Sequence, residues 1–293
     1  MWIYLNDRFV EQDKARVSVL DHGFLYGDGV YETLRAYDGR IFMLRQHVER
    51  LERSAQMIGL RLPLKRSDWS PLLAEALRRN SLTDAYLRLT VSRGEGAIGL
   101  DPALCPTPTL VILAQPLPTY PARYYDEGVR LIISQTRRNL AEALSPQIKS
   151  LNFLNNILAK REATAAKAFD AVMLNHAGHV AECTTSNLFL VRQGRLCTPG
   201  TDCGILDGIT RNVVLHLAGL RQMQTEEGAY TPDDLLAAEE CFLTNTTMEI
   251  MPVRSVNDHP IGGGKPGPIT QALHHAFHAR LPEFLQSEQG SLD

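Results

Sequence analysis

The chain has no C-x-x-C pair, no apolar run longer than a strand, no heptad or short-period repeat and no low-complexity stretch. Each absence removes a class of protein. The five cysteines, Cys105, Cys183, Cys197, Cys203 and Cys241, are odd in number and scattered, which argues against a disulfide framework and a structural zinc site. They fit a reducing, cytoplasmic setting. Without a stretch of about 20 apolar residues no membrane span is expected. The opening MWIYLNDRFVEQDK brings Asp7 and Arg8 ahead of any apolar run, so no signal peptide is expected. The formal net charge is only −3 and the basic residues form no stripe with interleaved aromatics, so nucleic acid is not an expected partner. A small molecule is the partner left.

What is present is an ordinary globular mix, 44% hydrophobic and 22% charged over 293 residues, a length that suits two domains. Residues 2–5 and 8–10 flank the turn pair Asn6-Asp7, and residues 29–37 and 40–42 flank Asp38-Gly39, so the chain opens on antiparallel hairpins. Apolar residues at Leu44, Val48, Leu51, Ala55 and Ile58 give one buried helix face over 44–60. A second helix is expected over 67–79, and strands over 85–92 and 109–114. Residues 116–128 carry three prolines and neither helical nor alternating period, which marks a linker. Beyond it, strands are expected over 129–136, 171–174, 188–191 and 241–244, and helices over 152–169, 210–220 and 267–281. The polar end QSEQGSLD is expected to fray. Without a strict βαβ rhythm the class is α+β, with mixed sheets flanked by helices. The expected division is a small α/β domain over 1–115, the linker over 116–128 and a large domain over 129–293.

Six of the thirty basic residues are lysines, and Lys149 sits in PQIKSLNFLNNILAK just ahead of an amphipathic helix. Beside Ile148 and Leu151 its amine would be partly desolvated and able to form a Schiff base; taken alone, it reads as a solvated surface lysine. Glu182, in HAGHVAECTTSNLFLV, either faces inward among Val180, Leu188 and Phe189, where it needs a cationic partner, or lies on an edge facing water. LDGITRN and TNTTME both offer free backbone N–H groups, so Ile209, Thr210 and Thr246 suit a phosphate or simply cap their helices. Arg50, off the main apolar seam of its helix, presents a guanidinium to phosphate or to solvent. Arg88 shares one face of a strand with Tyr86 and Thr90, a half-polar surface such as a pocket floor. GEGAIG and GGGKPG lack the context of a phosphate loop and read as turns. His274 and His278 are one helical turn apart, but their segment holds no third ligand, so a solvated or packing face is expected there and no metal.

In order, MWIYLNDRFV, VSVLDHGFLYGDGVYETLRAYDGRIFMLRQHVERLERSA, AYLRLTVSRGEGAIGLDP, IKSLNFLNNILAKREA, VAECTTSNLFLV, GILDGITRNVV, FLTNTTMEIMPV and GKPGPIT resemble the class IV, or fold-type IV, aminotransferases over nearly the whole chain. The resemblance implies the two-domain fold of the D-amino-acid-aminotransferase type and pyridoxal 5'-phosphate as cofactor. Lys149 matches the catalytic lysine that tethers the cofactor and moves the substrate proton. Glu182 matches the partner of the pyridine nitrogen. Arg50, Ile209, Thr210 and Thr246 match phosphate-holding positions, and Leu206 one that packs on the ring. Tyr31 and Arg88 match substrate positions of the small domain and Thr247 one of the large domain. Tyr26 matches a residue that reaches into a neighbouring subunit, which implies a homodimer or higher homo-oligomer.

Within the family the course of the chain is most like the branched-chain enzymes, which move an amino group from a hydrophobic L-amino acid to a 2-oxo acid such as 2-oxoglutarate. Ile98 and Leu100 stand where well-known bacterial D-amino-acid aminotransferases have an arginine and a histidine, which favours an apolar pocket. Thr33 stands where branched-chain enzymes commonly have glycine, and Asn245 to Met248 where they have a Gly-Thr-Ala-Ala turn. The alternatives are a D-amino-acid aminotransferase, on IKSLNFL and TNTTMEI, and an aminodeoxychorismate lyase, which VYETLR does not resemble.

Overall fold

The computed structural model describes residues 1–285, and the polar end expected to fray lies outside the described residues. Contacts divide the chain into two units. The first holds Met1–Pro118, Ile148–Asn152 and, of the described residues, 282–285; the second holds Thr119–Gln147 and Phe153–Leu281. The units are not contiguous in sequence, and residues 282–285 return to the first. Residues 119–128 group with the second unit, and the short stretch around Lys149 groups with the first.

The first unit contains β1 (Trp2–Leu5), β2 (Arg8–Glu11), α1 (His22–Tyr26), β3 (Gly29–Tyr37), β4 (Arg40–Ile41), α2 (Leu44–Met57), α3 (Arg66–Arg79), β5 (Ala85–Ser92) and β6 (Thr109–Pro116). Its strands form one antiparallel sheet in the order β2-β1-β6-β5-β3-β4. The period of two along β3 and β5 divides the sheet into two unlike faces. Leu34, Leu87, Leu89 and Val91 join Val48, Leu51, Trp69 and Leu73 from the two long helices in one core. Tyr31, Thr33 and Arg35 lie on the opposite face of β3, paired with Thr90, Arg88 and Tyr86 of β5. The half-polar strand face expected around Arg88 is therefore continuous across two central strands.

The second unit contains α4 (Arg123–Glu127), β7 (Val129–Ile133), α5 (Leu154–Ala165), β8 (Asp170–Leu174), β9 (Val180–Cys183), β10 (Asn187–Arg192), β11 (Arg195–Pro199), α6 (Ile209–Leu220), β12 (Thr225–Gly228), α7 (Pro232–Leu236), β13 (Glu240–Asn245), β14 (Glu249–Val256), β15 (His259–Pro260) and α8 (Pro268–Phe284), whose last turn groups with the first unit. Its sheet runs β12-β11-β10-β13-β14-β7-β8-β9, with β15 beside β14. The β11–β12, β14–β7 and β7–β8 pairs are parallel and the others antiparallel, so the sheet is mixed, as expected. Leu131, Val172, Leu188, Leu190, Leu243 and Met251 lie in its core.

Local chemistry explains where elements differ from expectation. The strand expected over 129–136 stops at Ile133 because the N–H groups of Gln135 and Thr136 turn to the Glu162 carboxylate of α5 at 2.6 and 3.0 Å. β14 was not anticipated because Pro252 lacks a ladder N–H and argues against an interior strand; a register shift follows at once, between Val253 and Ser255. The expected linker holds α4, whose Tyr124 and Tyr125 pack on the second core. Among the described residues no helix is long and apolar enough to cross a membrane.

Leu87 is fully buried between β3 and β6. Leu87→Ala should destabilise the protein by about 2–5 kcal/mol, the transfer loss plus the cavity left behind. Urea unfolding followed by circular dichroism measures it; a change within roughly 0.5 kcal/mol, typical of a surface site, would show that β5 does not carry the core.

Candidate active site

In the first unit residues 148–152 run alongside the start of β3. Tyr31 N–H donates to the Lys149 carbonyl at 3.0 Å and Leu151 N–H to the Gly29 carbonyl at 2.9 Å, and Ser150 bridges Val30. The approach is so close that a Cβ on Gly29 would lie 2.7 Å from both Leu151 Cδ1 and the Val91 carbonyl oxygen. From the helix side, Ser54 Oγ accepts the Lys149 N–H at 3.1 Å. With its backbone held by β3 and α2, Lys149 carries its Nζ 4.5 Å from the centroid of the Tyr31 ring. The Arg88 guanidinium lies 4.0 Å from the same centroid, so two cations share one aromatic ring.

Arg50 does not face solvent. Glu32, buried on the core side of β3, accepts from Arg50 Nε at 2.7 Å and Nη2 at 2.9 Å, and from His47 Nδ1 at 2.8 Å. His47 is the donor because an ionised carboxylate only accepts. Burial alone would raise the Glu32 pKa, but the Arg50 guanidinium and the His47 ring outweigh it and hold the carboxyl well below the usual carboxylate range. For His47 burial dominates and lowers its pKa, with Glu32 opposing.

In the second unit Glu182, on β9, faces inward and is buried. It accepts from Arg138 Nε at 2.9 Å and Nη2 at 2.8 Å, from Asn187 Nδ2 at 3.2 Å and from the Leu206 N–H at 3.0 Å. Asn187 Nδ2 also donates to the Leu206 carbonyl at 2.9 Å, which fixes the loop leading into α6. A Cβ on Gly208 would lie 1.9 Å from Asn187 Oδ1, so only glycine fits where that loop enters the helix. Gly208 is the N-cap and supplies no side chain to α6, leaving the first-turn N–H groups at Ile209 and Thr210 without intrahelical partners. Thr210 Oγ1 is buried with no hydrogen-bond partner among the described residues. Unpaired amides beside an orphaned buried hydroxyl fit an anionic group such as a phosphate.

The β13–β14 turn carries Thr246 and Thr247, both half-buried. Asn245 Oδ1 accepts from Thr247 N at 3.0 Å, Thr247 Oγ1 at 3.1 Å and Met248 N at 2.8 Å. At the edge of the first unit, Tyr26 ends α1 and its hydroxyl accepts from Gly99 N at 3.3 Å, which ties it to the GEGAIG segment. Within the first unit the structure therefore gathers Lys149, Tyr31 and Arg88, with Arg50 behind β3; within the second it gathers Glu182 and Leu206. Sequence reasoning missed Glu32 and Arg138. Alternation along β3 puts Glu32 on the side of Val30 and Leu34, a signal that could have found it. Arg138 follows the polar stretch 134–137 beyond β7, with no periodic cue.

Because Glu32 and His47 are both lowered by folding, the unfolded chain takes up protons before the folded one as pH falls. Stability should decline below about 6.5 through His47 and again below about 4.5 through Glu32, their ordinary values. Glu32→Gln strands a buried guanidinium and should cost about 3–5 kcal/mol at pH 7, while removing the second acid step. Thermal unfolding midpoints from pH 7 to 4 test this; a variant as stable as the parent would break the argument.

The amino-transferase class IV model matches residues 29–256. A protein of Methanocaldococcus jannaschii, provisionally assigned as a branched-chain-amino-acid aminotransferase, is 43% identical over 277 residues, covering 94% of this chain and 95% of its own. The D-alanine aminotransferase of Bacillus licheniformis is 36% identical over 277 residues, covering 94% and 96%. The branched-chain amino acid aminotransferase of Escherichia coli matches with a TM-score of 0.94 at 28% identity, covering 100% of this chain and 99% of that one. This likeness establishes the fold-type IV architecture. The chain belongs to the class IV aminotransferases, a family that uses pyridoxal phosphate, and is an aminotransferase for which the branched-chain type is favoured.

Proposed function

We propose that the chain binds pyridoxal 5'-phosphate through Lys149 and moves the amino group of a branched-chain L-amino acid to 2-oxoglutarate. The observation that carries this reading is the position of the Lys149 amine over Tyr31, beside Arg88 on the non-core face of the sheet. When bound, the cofactor supplies an aldehyde that condenses with amines and a ring that withdraws electrons from the substrate α-carbon. The chain's own groups do the rest. Lys149 tethers the cofactor and, once displaced, carries the proton to and from the substrate α-carbon. Glu182, oriented by Arg138, Asn187 and the Leu206 amide, keeps a proton on the ring nitrogen, with Leu206 against the ring. Arg50, Ile209, Thr210 and Thr246 hold the phosphate. Tyr31, Arg88 and Thr247 receive the substrate, the Arg88 guanidinium accepting a carboxylate.

A homodimer is part of this reading, with Tyr26 reaching the partner's substrate. Phe24, Ile98 and Leu100 are 73%, 79% and 82% exposed on the same unit as Tyr26, apolar surface that suits a subunit contact. We place the enzyme in the cytoplasm, where its five free cysteines stay reduced. A D-amino-acid substrate is the second reading, favoured by the 36% identity to a D-alanine aminotransferase.

Absorbance scans of the cofactor-loaded protein separate the two. Loss of the visible band of the lysine-bound cofactor is expected with L-leucine and not with D-alanine, and the reverse result would transfer the assignment to D-amino acids. Lys149→Ala should lower turnover at least about 100-fold, the contribution of a positioned acid-base group; a variant with unimpaired turnover would defeat the proposal.

Thr210→Val tests the phosphate site. A hydrogen bond to a charged group is worth about 1.5–3 kcal/mol, so cofactor affinity should fall about 10- to 100-fold. The cofactor-free protein should lose no stability, since Oγ1 gives up no protein partner. Unchanged affinity would remove Thr210 from the site.

A further inference from the structure

His274 and His278 gain from the fold the third group that their own segment lacks. Their Nε2 atoms lie 3.2 Å apart on one face of α8. Oε2 of Glu249, the first residue of β14, lies 3.6 Å from the former and 2.9 Å from the latter. The Glu249 side chain is buried while the two imidazoles reach the surface, so the carboxylate forms the floor of a site open on one side. The backbone at Glu249 and the ring of His274 are both constrained. Glu249 sits at φ 60, a conformation uncommon outside glycine. The His274 ring stacks on Tyr125 at 5.6 Å and 6°, and the Tyr125 hydroxyl donates to the Met248 carbonyl at 3.1 Å.

The geometry points to a binding site for one divalent transition-metal ion of the zinc class at Glu249, His274 and His278. Bonds of about 2.0–2.2 Å at tetrahedral angles separate neighbouring donors by about 3.3–3.6 Å, and the three observed separations of 2.9, 3.2 and 3.6 Å fall around that value. A proton shared between two imidazoles serves one pair, whereas a dication serves all three groups and offsets the carboxylate charge. Two imidazole nitrogens and one carboxylate oxygen suit zinc, cobalt or nickel rather than magnesium or calcium, which take mainly oxygen ligands. The fourth position faces solvent and is left to water. The ion joins α8 to β14 immediately after the turn that carries Thr246 and Thr247, so it acts as a clasp behind that turn and takes no part in amino transfer.

Equilibrium dialysis of the untagged full chain against Zn²⁺, after removal of free cofactor, with metal content read by elemental analysis, tests the site. One zinc per chain is expected. His274→Ala and the conservative surface variant His278→Gln should each weaken binding by more than the roughly 10- to 100-fold typical of losing an outer-shell partner. His275→Ala, exposed on the same helix, should leave it unchanged. Zinc should raise the thermal midpoint of the parent and of His275→Ala only. Absence of stoichiometric zinc, or binding that survives His278→Gln or falls equally with His275→Ala, would overturn the site.

Discussion

Burying the Glu32 carboxylate is the most demanding step in building the first unit. An ion of this size costs several kcal/mol to bring out of water, and β3 places it on the face shared with Val30, Leu34 and Ala36. Arg50 and His47 offset the cost only if α2 lies at one height and one rotation against the sheet. His47, Arg50 and Ser54 occupy successive turns along one side of that helix, and Ser54 is the residue that accepts the Lys149 N–H. The contact that neutralises Glu32 thus also fixes the helix that fixes Lys149. Tyr31, one residue from Glu32, points the other way and meets the lysine side chain. A single strand serves the core on one face and candidate chemistry on the other.

The second unit solves a similar problem with different donors. Glu182 receives a guanidinium, a side-chain amide and a backbone N–H, so its charge is satisfied partly by the loop that leads to α6. That loop is short of alternatives: Gly208 admits no side chain against Asn187, and the helix begins without a capping side chain. The carboxylate, Asn187 and the first turn of α6 are therefore positioned together, and displacing one displaces the others. The hydroxyl of Thr210 stays buried in that first turn, without a hydrogen-bond partner among the described residues, beside amides that the helix itself leaves unpaired.

Much of this was legible in the sequence because it is local. The period of Leu44, Val48, Leu51 and Ala55 gave α2, the Asn6-Asp7 and Asp38-Gly39 turns gave their hairpins, and alternation around Arg88 gave the half-polar face. What was not legible depends on partners distant in the chain. Arg50 reads as solvent-facing until Glu32, eighteen residues earlier, is seen opposite it. Nothing near Lys149 says that its backbone pairs with Tyr31, since the pairing replaces a local turn with a contact across more than a hundred residues. Short polar elements such as β12, with its TEEG sequence and exposed side chains, carry no period at all. Pro252 sends the opposite signal from the one the fold realises.

The substrate question turns on the same non-core face of β3 and β5. Thr33 stands directly across from Arg88, so a side chain occupies the space that glycine would leave open next to the guanidinium. Arg88 is drawn over the Tyr31 ring, which keeps its charge close to the lysine rather than spread along the strand. Arg35, the next residue on this face, lies 4.0 Å over the Tyr37 ring, so each of these two guanidinium groups rests on an aromatic face. A face built in this way offers positive charge for the carboxylate that every amino acid carries and flat apolar rings for its side chain. Under the role proposed for Lys149, handedness follows from which side of the α-carbon is turned toward its amine, and so from where on this face the carboxylate is held.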